Sequence, residues 1–187
     1  MTTAAILRDV PDSFESERLV IRAPRPGDGA ALNEAVVESF DELHRWLLWA
    51  KERPSLDESE KIVRELHVKF LERVDLVFLL FERASGALVG GSGLHQIDWN
   101  VPKFEIGYWG RTRFSKRGFI GEAVAEIARV AFERLGAQRV QIKCDPQNAR
   151  SRSVAERAGF RLEGELINDG RTPQGTLRNT LVFARTP

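Results

Sequence analysis

Residues 105–160 read EIGYWGRTRFSKRGFIGEAVAEIARVAFERLGAQRVQIKCDPQNARSRSVAERAGF. A long helix is predicted to begin at Gly118 and Gly121, because apolar residues then recur every three or four positions. They are Ile120, Val124, Ile127, Ala131 and Leu135, and Gly136 then stands where a left-handed C-terminal cap belongs. A strand over 139–144 and a helix over 148–158 follow. With a strand over 103–109 in front, the order is strand, loop, helix, strand, helix.

The loop before the long helix is strongly basic. It reads RTRFSKR over 111–117, with Gly118 and Gly121 just beyond. The first-turn amides of a helix lack intrahelical acceptors and carry partial positive charge, and glycine lets an anion approach the backbone closely. The pattern therefore predicts a pyrophosphate cradle. A solvated basic loop ahead of an ordinary helix remains the alternative, since single glycine motifs recur by chance. The four cations are Arg111, Arg113, Lys116 and Arg117.

The N-terminal half predicts one strand followed by three helices. Asp28 is expected to cap the first helix through its carboxylate. Ser55 and Glu58 have the spacing of a capping box, which opens the third helix. The predicted strand covers 18–22, and the helices cover about 29–39, 41–50 and 57–72.

Four further strands complete the predicted sheet. Two apolar runs flank a turn at Ser85 and Gly86, which indicates a hairpin. The whole order is β-α-α-α-β-β-β-α-β-α-β-β, which predicts a mixed sheet with helices on both faces. These four strands are predicted over 76–81, 87–93, 160–167 and 176–185, and with 18–22, 103–109 and 139–144 they make seven.

Composition excludes several classes of protein. The chain has 187 residues, enough for one domain. Its 28 Lys and Arg nearly balance its 27 Asp and Glu, whereas a nucleic-acid-binding domain has a clear basic excess. The longest apolar run, Leu76–Phe81, is too short to span a bilayer, and the first residues lack a basic-then-apolar leader. We therefore expect a cytoplasmic protein without nucleic-acid or membrane partners.

Metal and disulfide chemistry are not indicated. His44, His67 and His95 lack metal-ligand spacing, so we predict no metal site. The single cysteine, Cys144, has no partner for an internal disulfide and is expected to be a buried, inert side chain.

The segment 105–160 strongly resembles the GNAT superfamily of N-acetyltransferases. The chain is more closely similar to the Rim branch, which acetylates the N-terminal amine of ribosomal proteins. SERLVIRAPRPGD (16–28) resembles the start of that branch, and HRWLLWA (44–50) resembles its Trp-containing substrate loop. The family's phosphate motif, Q/R-x-x-G-x-G/A, falls on 115–120. Gly118 matches it, whereas Ser115 replaces Gln or Arg and Ile120 replaces Gly or Ala.

The resemblance implies a mixed α/β (α+β) GNAT-like fold: a mostly antiparallel, twisted sheet of about seven strands with helices on both faces. Residues 16–187 would form the single acetyltransferase domain and residues 1–15 an N-terminal arm. Strands 103–109 and 139–144 would splay apart, and the pantetheine arm of acetyl-CoA, the co-substrate, would lie between them. The residues implied to bind it are Tyr108, Trp109, Lys116, Arg117, Gly118, Phe119, Ile120, Gly121 and Asn148.

The implied reaction is acyl transfer from a thioester to a neutral amine. At neutral pH roughly one α-amine in six to ten is already neutral, against about one lysine in a few thousand, so an N-terminal substrate needs less help from a base. Glu105 is the candidate base, and a solvent-facing or ion-paired role is its alternative. Ser151 matches the Rim-branch position that protonates the leaving thiolate, with Tyr108 as an alternative acid. Backbone capping is the plainer role for Ser151, and packing beside the cofactor is the plainer role for Tyr108.

The sequence does not identify the amine that receives the acetyl group. Trp46 and Trp49 are candidate walls of its pocket, although both could be ordinary core. A protein N-terminus is the first hypothesis and a small-molecule amine, such as an aminoglycoside or polyamine, is the second. The third is a non-catalytic acyl-CoA-binding module. Acyl-chain preference is undetermined, and both a monomer and a homodimer are compatible with the sequence.

Overall fold

A computed structural model describes residues 4–187, so residues 1–3 of the predicted arm lie outside the described residues. The strands are β1 (Ser13–Glu15), β2 (Leu19–Arg22), β3 (Leu76–Glu82), β4 (Leu88–Asp98), β5 (Lys103–Gly110), β6 (Arg139–Cys144), β7 (Arg161–Arg171) and β8 (Leu177–Arg185). The helices are α1 (Gly29–Glu38), α2 (Phe40–Trp46), α3 (Leu56–Glu72), α4 (Phe119–Leu135) and α5 (Ala149–Arg157). None of the helices within 4–187 combines the length and apolar character that a bilayer crossing requires.

The eight strands form one sheet in the order β1-β2-β3-β4-β5-β6-β8-β7. Every neighbouring pair is antiparallel except β5 and β6. That parallel pairing joins only Lys103–Glu105 to Arg139–Gln141, after which the two strands diverge. The predicted splay is therefore confirmed. We call the gap beyond Glu105 and Gln141 the wedge.

The sheet has two differently packed faces. Phe78, Ser92 and Tyr108 are cross-strand neighbours on the face that α4 covers, and we call this the α4 face. Alternate residues such as Gly91 and Trp109 lie on the opposite face, against which α1 packs, and we call this the α1 face. Because side chains alternate along a strand, the register assigns every residue of β4 and β5 to one of these faces.

The element order from β2 onward is the predicted one, and the mixed sheet is confirmed. The structure adds β1, which pairs with β2 and lies within the segment that the sequence set apart as an arm. The first hairpin is longer than predicted, since β4 continues to Asp98, and α2 ends at Trp46 rather than at residue 50.

The expectation that Asp28 caps α1 through its side chain is wrong. Its carboxylate instead accepts hydrogen bonds from the Arg22 guanidinium and the Arg25 amide. Glu60 of α3 takes over the capping role, accepting from the backbone amides of Gly27 and Gly29 at 2.9 and 3.0 Å. A side chain from a neighbouring helix thus accepts the hydrogen bonds of the free backbone amides at the start of α1.

Candidate active site

The wedge exposes one edge of β5. Beyond Glu105, β5 continues to Gly110 with β4 on one side only, while β6 pairs with β8 through Cys144. Among the described residues, 106–110 therefore have no strand partner on the β6 side. A sheet edge of this kind offers backbone groups to an extended ligand.

The loop that closes the wedge presents a row of unused amides. After a short turn at Thr112–Phe114 the chain reaches Gly118, whose φ of +83° places it in the left-handed region, and α4 begins at once. No side chain caps this helix start. Within residues 4–187, the backbone amides of 116–121 have no hydrogen-bond acceptor. Converging amides at a helix N-terminus form an anion-binding site.

Arg111 is not one of the loop's free cations, contrary to the predicted group of four. Its side chain is 2% exposed, and its guanidinium bonds Glu38 and Glu34 of α1 at 2.6 Å each. Burial opposes the charge, but these hydrogen bonds outweigh burial and raise the pKa of Arg111. The residue ties the end of β5 to α1.

The remaining cations differ in how firmly they are held. Arg117 pairs with Glu82 at 2.7 Å and stacks on the Phe119 ring, whereas no described carboxylate pairs with Lys116. Arg18, which the sequence did not single out, donates to the backbone oxygen of Arg117 at 2.9 Å and also lies over Phe119. Arg18 therefore braces the loop against α4.

Tyr108 and Ser151 meet across the wedge. The Tyr108 hydroxyl donates to the backbone oxygen of Ser151 at 2.8 Å and lies 3.0 Å from its Oγ. Burial raises the pKa of Tyr108, so the phenol stays protonated. Asn148 accepts from the Ser151 amide and thereby caps α5. Cys144 is buried nearby, and burial raises the pKa of its thiol.

Glu105 lies at the apex of the wedge, on the α1 face. Its Oε2 accepts from Gln141 Nε2 at 3.0 Å and lies 3.3 Å from Lys143 Nζ, both on β6. Its Oε1 has no bonding partner among the described residues. One oxygen is therefore held by the protein and the other is available.

The two tryptophans of 44–50 lie beside the wedge. Trp49 packs edge-on against Trp109 with ring centroids 6.2 Å apart, and it is 54% exposed. Trp46 lines a cavity of about 100 Å³ together with Arg45, Asp145 and Arg178. Asp145 directly follows β6, so this cavity opens at the mouth of the wedge.

Comparison with known proteins identifies the family to which the chain belongs. A family model described as "Acetyltransferase (GNAT) domain" matches residues 18–161. The chain belongs to this acetyltransferase family. YdaF of Bacillus subtilis (strain 168) is 33% identical to this acetyltransferase over 170 residues, which cover 90% of each protein. Its provisional name is that of a ribosomal N-acetyltransferase. The ribosomal-protein-serine acetyltransferase of Escherichia coli (strain K12) is 26% identical over 82% of this chain and 88% of its own.

A solved structure shares the fold of the acetyltransferase. RimL, a ribosomal L7/L12 alpha-N-protein acetyltransferase in complex with coenzyme A, superposes with a TM-score of 0.85 at 24% identity, covering 91% of this chain and 95% of its own. The names of the relatives support the Rim-like branch that the resemblance indicated.

Acetyl-CoA is the co-substrate of this acetyltransferase family, and the residues present fit it. The diphosphate needs donors, which the unpaired amides of 116–121 supply. A Cβ at Gly121 would meet nothing within 4 Å, so the helix start is open to a ligand. Within residues 4–187, no cluster of three or more His, Cys, Asp or Glu is placed to hold a metal ion.

The predicted site residues divide between the two faces of the sheet. Tyr108, Ser151 and Asn148 come together on one side of the wedge. The Trp109 side chain lies on the α1 face, where it covers Gly91 and contacts Trp49, so only its backbone lies along the wedge. The role of Arg18 could not be found from sequence, because the residues it contacts lie about a hundred positions away.

Proposed function

We propose that this N-acetyltransferase modifies the N-terminal α-amine of a ribosomal protein. The observation that carries the proposal is the charge of the cavity beside Trp46, where Arg45 and Arg178 stand against a single acid, Asp145. A cleft for aminoglycosides or polyamines needs an acidic excess, because those acceptors are polycations. The names of YdaF and of the Escherichia coli enzyme support the same acceptor.

The residues around the wedge would divide the chemistry. Acetyl-CoA, when bound, supplies an acetyl group activated as a thioester. The amides of 116–121, with Lys116 and Arg117, would hold the diphosphate, and the β5 edge would bond the pantetheine arm. Tyr108 and Asn148 would line that arm. Trp46 and Trp49 would flank the entering N-terminus.

Proton transfer would use groups at both sides of the wedge. Oε1 of Glu105 would accept a hydrogen bond from the incoming amine and draw off its proton, a contribution worth about 100- to 10,000-fold. Ser151 Oγ would supply a proton to the leaving sulfur. Tyr108 is the second candidate for that step, since its raised pKa keeps its proton on the phenol.

The test is a matched pair of peptides incubated with acetyl-CoA. Both carry one lysine, and they differ only in a free or a formylated N-terminus. We expect release of free coenzyme A and a mass gain of one acetyl group with the free peptide alone. Spermine and an aminoglycoside are run beside them.

Three outcomes are separable. Faster turnover of the polyamine or aminoglycoside would favour a small-molecule acceptor, and acetylation of both peptides would assign lysine. Tight binding of coenzyme A without turnover of any amine would make the protein an acyl-CoA-binding module.

We further propose a cytoplasmic site of action, since ribosomal proteins are made there. The division into an arm (1–15) and a catalytic domain (16–187) is likewise a proposal, as is a monomeric or homodimeric state. Size-exclusion chromatography with light scattering distinguishes the two states.

A further inference from the structure

Asp75 and His95 form a hydrogen-bonded pair on the α1 face. Asp75 precedes β3, and its Oδ1 lies 2.5 Å from Nδ1 of His95, which is on β4. The two side chains are 26% and 31% exposed, so the pair is partly shielded but reachable from solvent. A carboxylate is only an acceptor, so Nδ1 carries the proton in this bond. In the neutral ring, Nε2 is then left with its lone pair.

The unprotonated nitrogen has no partner within the described part of the chain. It lies over two glycines, since a Cβ added at Gly93 or at Gly107 would come within 3.1 Å of His95 Nε2. Neither glycine places a side chain beneath the ring, so the imidazole lies directly over the strand backbone.

His95 lies one strand away from the apex of the wedge. His95 is the cross-strand partner of Glu105, and Gly107 is the next residue on the same face of β5, just past the end of the parallel pairing. Directly opposed residues on antiparallel strands have Cβ atoms about 5 Å apart. The side chains of His95 and Glu105 therefore start from neighbouring points of the α1 face.

We propose that His95 is a proton acceptor for the attacking amine and that Asp75 is its positioning residue. An ammonium arriving beside His95 gives one proton to Nε2, and the ammonium nitrogen regains a lone pair. The nitrogen then bonds the acetyl carbon as the carbon–sulfur bond breaks, with that electron pair leaving on sulfur. The second nitrogen proton is lost to Glu105 or water, and sulfur takes a proton from the Ser151 side. This proposal rests on acetyl transfer to an amine and not on which amine it is.

The kinetic test compares His95→Gln, Asp75→Asn and Glu105→Gln with the control His67→Gln. His67 is a suitable control because its Nδ1 bonds the Pro24 carbonyl, a contact outside the wedge. We expect His95→Gln to lower kcat by about 100-fold or more and Asp75→Asn by less, with the Kd for coenzyme A within about twofold of wild type. We expect His67→Gln to keep the wild-type kcat.

The pH profile separates proton transfer from structure. The charged groups facing His95 are Asp75, Glu105 with its Lys143, and Lys69 of α3. The loss of kcat in His95→Gln should become smaller at higher pH, because the acceptor amine is then deprotonated without help. A deficit that stays constant with pH, or an unchanged kcat in His95→Gln beside a large fall in Glu105→Gln, would overturn the proposal.

A readout independent of turnover is the nitrogen NMR spectrum of the imidazole in the free protein. We expect His95 to show a protonated Nδ1 and an unprotonated Nε2, and Asp75→Asn to disturb that state. The opposite tautomer would overturn the proposal, because Nε2 would then have no lone pair to offer. If no amine is acetylated, the proposed function fails, and this spectrum still decides whether His95 can accept a proton.

Discussion

Tyr108 and Ser151 are joined by a hydrogen bond that crosses the wedge, with the Tyr108 hydroxyl 2.8 Å from the Ser151 backbone oxygen. The bond links the unpaired part of β5 to the first turn of α5, in a region where the two strands no longer touch. It therefore holds Ser151 Oγ, 3.0 Å away, at a defined place beside the path expected for the thioester.

Ser151→Ala should lower kcat about tenfold and leave the Kd for coenzyme A nearly unchanged, because a thiolate can also leave unprotonated. Steady-state kinetics on the preferred acceptor measures the effect, and Ser153→Ala on the same helix is the control. Tyr108→Phe should cost less in kcat than Ser151→Ala. A larger loss in Tyr108→Phe would transfer the acid role to the phenol.

Gly118→Ala should weaken coenzyme A binding and destabilise the fold by about 1 kcal/mol, since a Cβ is strained at a φ of +83°. Gly86→Ala is the matched control, because Gly86 has a φ of +69° in a turn away from the wedge. Thermal unfolding should show a comparable loss in both variants, whereas calorimetric titration with coenzyme A should show weaker binding only in Gly118→Ala. Equal affinities of the two variants for coenzyme A would show that residues 116–121 do not form the diphosphate cradle.

Lys116→Ala should weaken coenzyme A binding about tenfold in low salt, because no described carboxylate competes for this ammonium. The difference from wild type should narrow as salt screens the contact. Lys61→Ala serves as control, since Lys61 pairs with Glu65 on the exposed side of α3. A salt-independent difference would mean that Lys116 acts through loop geometry.

Arg111→Met should destabilise the protein by about 3 kcal/mol, because it deprives Glu38 of the partner that compensates its partial burial. Arg113→Met should cost under about 1 kcal/mol, since that side chain is half exposed and 3.8 Å from Glu38. Urea unfolding of both variants measures the difference. Similar losses would contradict a structural role specific to Arg111.

We expect protonation of Glu122 to contribute to the loss of stability in acid. Burial works to raise its pKa, but hydrogen bonds from Ser16 and Arg18 outweigh burial and lower it. A carboxyl group whose pKa is lowered by folding stabilises the protein at pH values above the ordinary carboxyl range. That stabilisation is lost as the pH falls through the folded-state pKa. Glu122→Gln should therefore lower the Tm at pH 7 and flatten its fall between about pH 5 and pH 3. A parallel decline in wild type and variant would contradict this.

Local signals in the sequence predicted most of the elements. Ser55 and Glu58 form both bonds of the capping box, and Gly136 adopts the left-handed conformation expected of a helix cap. Such features depend on residues within one turn of each other, so spacing alone reveals them. Asp28 was misassigned because the true cap, Glu60, comes from another helix.

The sequence by itself determined the order of strands and helices, the basic glycine loop and the family resemblance, because periodicity and short motifs are properties of neighbouring residues. Only the tertiary structure decided which loop cation is buried, that Arg18 braces the loop, and that Asp75 bonds His95. Those contacts join residues 20 to about 100 positions apart. They arise when strand register and helix packing bring distant segments together, and no local pattern encodes that distance.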